Sequence, residues 1–105
     1  MSWLSDIFSG SGGPVREALR EGAVILDLRT AYEYDQGHIP RSLNIPVDRI
    51  RANIERVRDL KKPVILCCSN GIHCLEAAEI LRKAGISRVI NGGSWQSVLR
   101  KVNRP

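Results

Sequence analysis

Apolar residues are arranged along this chain in two ways. Ala23 to Leu28, interrupted only by Asp27, and Val64-Ile65-Leu66-Cys67 are short apolar runs. Runs of this length read as strands buried on both faces of a parallel sheet. Elsewhere the apolar positions recur at helical spacing. Pro14 suits a first helical position, and Val15 to Arg20 makes a short helix stopped by Gly22. Thr30-x-x-Glu33 is a capping box for a second short helix, with Gly37 at its end. Ser42 to Ile45 is a short strand ended by Pro46. Val47 to Leu60 predicts one helix with Val47, Ile50, Ile54, Val57 and Leu60 inward, ended by Lys61-Lys62-Pro63. Cys74 to Ala84 predicts another, ended by Gly85. Arg88 to Asn91 predicts a last strand, and Gly92-Gly93 a tight turn. Ser94 caps a final helix with Trp95, Val98 and Leu99 inward. Alternating strands and helices imply an α/β fold, a small parallel sheet with helices on both faces.

Residues 1–13 are different. Trp3, Leu4, Ile7 and Phe8 share one face at helical spacing, and Ser9 to Gly13 is a Gly/Ser linker. The expectation is a short amphipathic arm over 1–13, joined to a single domain over 14–105. The arm either folds back on the domain or offers a sticky surface to a membrane or partner. It is too short to hold a membrane strongly alone.

Composition narrows the class. A chain of 105 residues builds one domain around one core. With 43% hydrophobic but only 5% aromatic residues, that core is aliphatic. The net charge of +5 could favour anions or nucleic acid. Lys and Arg are scattered without a block of like charge, so solvated helix faces are expected and no nucleic acid. Three cysteines at 67, 68 and 74 suit neither a zinc site nor a disulfide scaffold. A reducing compartment, no metal and no cofactor follow as expectations. No apolar run is long enough to span a membrane, and the N-terminus lacks a secretory pattern. The cytoplasm is the expected location.

The chemistry concentrates at Cys68. It stands where an apolar strand meets a polar turn, Ser69-Asn70-Gly71-Ile72-His73, that runs into a helix. Free N–H groups and the helix dipole at such a junction favour a thiolate over its ordinary pKa of about 8.5. They also cradle a small anion. Cys67, one residue earlier, points to the other face of the strand and reads as core.

Three blocks in order resemble the rhodanese (sulfurtransferase) domain family. The first is Ile25-Leu26-Asp27-Leu28-Arg29, Glu33-Tyr34, Gly37-His38-Ile39-Pro40 and Asn44-Ile45-Pro46. The second is the Cys68 loop, with Ala77 and Ala78 nine and ten residues beyond the cysteine. The third is Val89-Ile90-Asn91-Gly92-Gly93. The likeness spans roughly Pro14 to Leu99, and the short chain looks most like the single-domain phage-shock type. The resemblance implies a rhodanese-like fold and sulfur transfer through a Cys68 persulfide. Ser69, Asn70, Gly71, Ile72, His73 and Cys74 would line the substrate loop. It also implies a structural ion pair between Arg29 and Glu33 and a structural role for His38. Asp27 would be structural or help to position the loop.

The chain departs from the family pattern at two loop positions. His73 stands where Arg is frequent, so anion binding would rest on backbone N–H groups. Cys74 stands where Ser is frequent. It is either a Ser-like helix-start residue or a second thiol within reach of Cys68. The implied partners are a small anionic sulfur donor, such as thiosulfate, and a cyanide or thiol acceptor. One alternative is a catalytically weak rhodanese-like module that binds a protein. Another is a cysteine phosphatase or arsenate reductase of related fold, disfavoured by a loop one residue short and without Arg.

Overall fold

A computed structural model of the protein describes residues 13–104. The amphipathic arm lies outside these residues, except that Gly13, assigned to the linker, is the first residue of the first described helix. The elements in order are α1 (Gly13–Arg20), β1 (Val24–Asp27), α2 (Ala31–Gln36), β2 (Leu43–Asn44), α3 (Ile54–Leu60), β3 (Val64–Cys68), α4 (Ile72–Lys83), β4 (Val89–Ser94) and α5 (Trp95–Asn103). The strands form one sheet in the order β2-β1-β3-β4, with every pair parallel.

Strand β3 lies between β1 and β4, and all five of its residues are buried. Alternation along it divides the interior in two. Val64, Leu66 and Cys68 face a cluster that holds Ile50, Val57, Cys74, Ala77 and Leu81. Ile65 and Cys67 face a second cluster with Val15 and Ala18 of α1 and Val98 of α5. Both faces are therefore covered by helices, as a parallel sheet requires. Strand β1 and the residue after it follow the same rule: Leu26 and Leu28 join the first cluster, Ile25 the second. Each fully buried Leu or Ile contributes about 1.5–3 kcal/mol by leaving water.

Three expectations need correction. Val47–Leu60 is not one helix. It comprises two 3₁₀ turns, Val47–Arg49 and Arg51–Asn53, before α3 begins. Val47 and Ile50 are three apart, which a 3₁₀ turn stacks on one edge. At Asn53 (φ −117°, ψ 17°) the backbone leaves helical geometry. Helix α4 starts at Ile72, two residues before Cys74. Gly92-Gly93 is not a tight turn but part of β4. The register with β3 slips between Leu66–Asn91 and Cys68–Ser94, a bulge that absorbs one extra residue of β4. Gly93 takes φ +82° there.

Candidate active site

Cys68 is the last residue of β3, at the carboxyl end of the sheet, where open α/β folds form their crevices. Gly71 turns the chain with φ +90°, a conformation that favours glycine. Its N–H then points back and donates to Cys68 Sγ at 2.9 Å. The Ile72 N–H donates instead to Asn70 Oδ1 at 3.0 Å. Asn70 thus braces the first turn of α4 and does not aim its side chain at the thiol. Ser69, Asn70, Ile72 and His73 are exposed, while Cys68 and Cys74 are buried.

Cys74 lies within the first turn of α4, and its side chain returns toward the strand. Its Sγ lies 3.1 Å from Cys68 Sγ and 3.8 Å from the Gly93 carbonyl. Burial pushes its pKa well above the ordinary thiol value, and the hydrogen bond to Cys68 pushes it further. Cys67, on the other face, is pushed up to about 12 by burial first and then by Asp27, with Arg29 opposing. Neither of these two thiols ionises near neutral pH.

The Arg29–Glu33 ion pair implied by the resemblance does not form. Arg29 donates to both carboxylate oxygens of Asp27, to the Glu33 carbonyl at 3.3 Å and to the Gly37 carbonyl at 2.7 Å. The Glu33 carboxylate instead accepts from the Thr30 N–H and hydroxyl, completing the capping box at the start of α2. Those bonds hold its pKa below the usual carboxylate value. The Asp-x-Arg spacing at a strand end carried the signal for the true pair. His38 stacks on the Tyr34 ring and its Nδ1 meets the Tyr34 carbonyl at 2.7 Å, a structural position.

Of the loop residues, Ser69 and His73 border a cleft of about 150 Å³ shared with Arg29, Glu33, Val47 and Asp48. No Lys lines it, and the guanidinium of Arg29 is already bonded to Asp27. Among the described residues, no three His, Cys, Asp or Glu side chains form a metal-binding group. No described helix is long and apolar enough to cross a membrane.

Comparison with known proteins agrees with this geometry. The family model for the rhodanese-like domain matches residues 13–99. The human single-domain sulfurtransferase TSTD1 superposes with a TM-score of 0.66 at 27% identity, covering 83% of this chain and 90% of that one. A rhodanese with anions from E. coli superposes with a TM-score of 0.64 at 29% identity, covering 71% and 89%. The uncharacterized protein YibN of Escherichia coli K12 is 38% identical over 82 residues, 74% of this chain and 56% of its own length. The tRNA uridine(34) hydroxylase of Cronobacter sakazakii is 37% identical over 78 residues, 68% of this chain and 22% of its own. The match thus spans about half of one curated relative and about a fifth of the other. The sheet order, the cysteine at the end of its inner strand and the family match agree: this chain belongs to the rhodanese-like domain family.

Proposed function

We propose that the protein is a sulfurtransferase that carries sulfane sulfur on Cys68. The observation that carries this reading is the Gly71 N–H donating to Cys68 Sγ at the mouth of a helix. Such a donor stabilises negative charge on the sulfur, and a thiolate is the nucleophilic form. With thiosulfate as donor, the Cys68 thiolate attacks the outer sulfur. The bond between the two donor sulfurs breaks, and sulfite leaves with its electron pair. The Cys68 persulfide that remains passes its outer sulfur to cyanide, giving thiocyanate, or to a thiol. No metal or organic cofactor enters these steps.

The donor is read as a small anion and not a nucleic acid. Several basic side chains already have partners: Arg58 donates to the Ala84 carbonyl, Arg82 to the Val89 carbonyl and Arg88 to Glu21. A second reading, a weakly catalytic module that binds a protein, draws on the 64% exposure of Ile72 and 65% of Leu75 beside the loop. A thiosulfate:cyanide assay run beside a phosphatase assay separates these readings. Thiocyanate formation lost in Cys68→Ser is expected. Phosphatase activity, or no turnover and no added sulfur on Cys68 by mass spectrometry, would overturn the proposal.

A further inference from the structure

Among the described residues, Cys74 is a buried nucleophilic group on the same face as Cys68 that the transfer steps leave unused. Its sulfur lies 3.1 Å from Cys68 Sγ, within hydrogen-bond reach. A disulfide bond is about 2.05 Å long, so closing this contact needs a movement of only about 1 Å. Cys67 has no such route, because it packs in the other core cluster.

We propose that Cys74 is an internal reductant for the sulfur carried on Cys68, expelling it as hydrosulfide and leaving a Cys68–Cys74 disulfide. This rests on the persulfide reading above. The Cys74 proton passes to the outer sulfur of the persulfide, and the thiolate it leaves attacks Cys68 Sγ. The bond from Cys68 Sγ to the outer sulfur breaks, and its electron pair departs with that sulfur. That sulfur already carries the Cys74 proton, so the leaving group is hydrosulfide. Charge is conserved: a persulfide anion and a thiol become a disulfide and a hydrosulfide anion. In this step the Cys74 sulfur is oxidised and the outer sulfur is reduced. A dithiol then restores both cysteines by exchange and is itself oxidised to a disulfide. The net reaction is reduction of a sulfane donor by a dithiol, with sulfite and sulfide as products.

The surroundings of Cys74 suit this division of labour. Burial and the bond to Cys68 hold it as a thiol, so it does not compete for the donor and it retains the proton that hydrosulfide needs. Cys68 keeps the Gly71 N–H and is the sulfur that meets the donor first. The Gly93 carbonyl near Cys74 fixes the thiol on the strand side of the helix.

The test uses the whole reduced protein, freed of thiols and kept from air, with thiosulfate alone. Sulfite, sulfide, intact mass and the cysteine linkages are read together. The wild-type protein should release sulfide in step with sulfite and finish with a Cys68–Cys74 linkage and no retained sulfur. Cys74→Ser and Cys74→Ala should retain one added sulfur on Cys68 and release sulfide roughly tenfold or more slower. Dithiothreitol should make the wild-type reaction continuous. If the wild type keeps the added sulfur with Cys74 free, the inference falls while the persulfide reading stands. Sulfide released equally fast by the variants also overturns it. Sulfite from none of the proteins overturns the persulfide reading and the inference with it. Should both variants fail to fold, the wild-type linkage decides alone.

Discussion

Asp27 and Arg29, two residues apart at the end of β1, form a bidentate ion pair at 2.8 Å. Asp27 is fully buried and Arg29 is 7% exposed. The guanidinium also lies over the Trp95 ring at 4.4 Å, so it links β1, the carbonyls around α2 and the start of α5. Arg29→Ala would strand a buried carboxylate, which costs about 3–5 kcal/mol. Urea unfolding should show that loss. Asp27→Asn combined with Arg29→Met should recover part of it, because removing both charges removes the desolvation problem.

Cys68→Ser should lower thiocyanate formation by at least roughly a thousandfold, as expected when a nucleophile is removed. The Gly71 N–H can still donate to a serine hydroxyl, so the melting temperature should shift by no more than about 4–8 °C, the equivalent of 1 kcal/mol. Near-normal turnover in this variant would move the nucleophile elsewhere.

Cys67 should make the fold sensitive to alkali. Its thiol ionises at about 9.0 when unfolded and is held neutral up to about 12 when folded. The unfolded chain then sheds its proton first, so stability falls as pH rises from about 9 toward 12. The slope from this one group approaches about 1.4 kcal/mol per pH unit. Chemical denaturation of wild type and Cys67→Ala across that range checks it. The variant should start less stable by about 1 kcal/mol and lose stability less steeply.

The capping box of α2 has the opposite pH signature. Glu33 has a folded pKa below its ordinary 4.5. Its contribution is present above that value and is lost as pH falls through the lowered folded pKa. Glu33→Gln keeps a side-chain oxygen for the Thr30 N–H without a titrating group. Its melting temperature should therefore track wild type at neutral pH and respond less to acid. Thr30→Ala should cost about 1 kcal/mol at neutral pH.

Gly92 and Gly93 should resist a side chain for different reasons, Gly92 the more strongly. A Cβ at Gly92 would lie 2.7 Å from Val98 Cγ2 and 2.8 Å from the Leu66 carbonyl oxygen. The carbonyl cannot move without disturbing the ladder between β3 and β4, so Gly92→Ala should cost about 1–3 kcal/mol or more. At Gly93 there is open space, and only φ +82° opposes a side chain. Gly93→Ala should cost about 1–2 kcal/mol. Guanidinium unfolding of the pair checks the order.

The parts of the molecule legible in the sequence are those governed by local rules. Thr30 and Glu33 form their box because the bond closes within four residues. Cys67 and Cys68 separate to two faces because a strand alternates. What escaped depends on contacts distant in sequence. The partner of Arg29 is set by which carboxylate is walled off by the sheet and Trp95, and Glu33 had a nearer use in its own helix. The path from Val47 to Leu60 is bent into 3₁₀ turns, with Ile50 seated in the core. Gly92-Gly93 reads as a turn by composition, but pairing with β3 draws it into the sheet. The approach of Cys74 to Cys68 lay between the two: the spacing allowed it, and the curl at Gly71 completes it.

Adjacent cysteines on one strand make the choice of reactive sulfur a question of parity. β3 places even-numbered residues toward α4 and odd-numbered residues toward α1 and α5. A single residue inserted between Val64 and Cys67, with the start of the strand held in place, would carry Cys67 into the position that faces the loop and push Cys68 one residue further into the turn. The doubled cysteine therefore leaves this chain a frame-shifted pairing in which a sulfur still faces the loop.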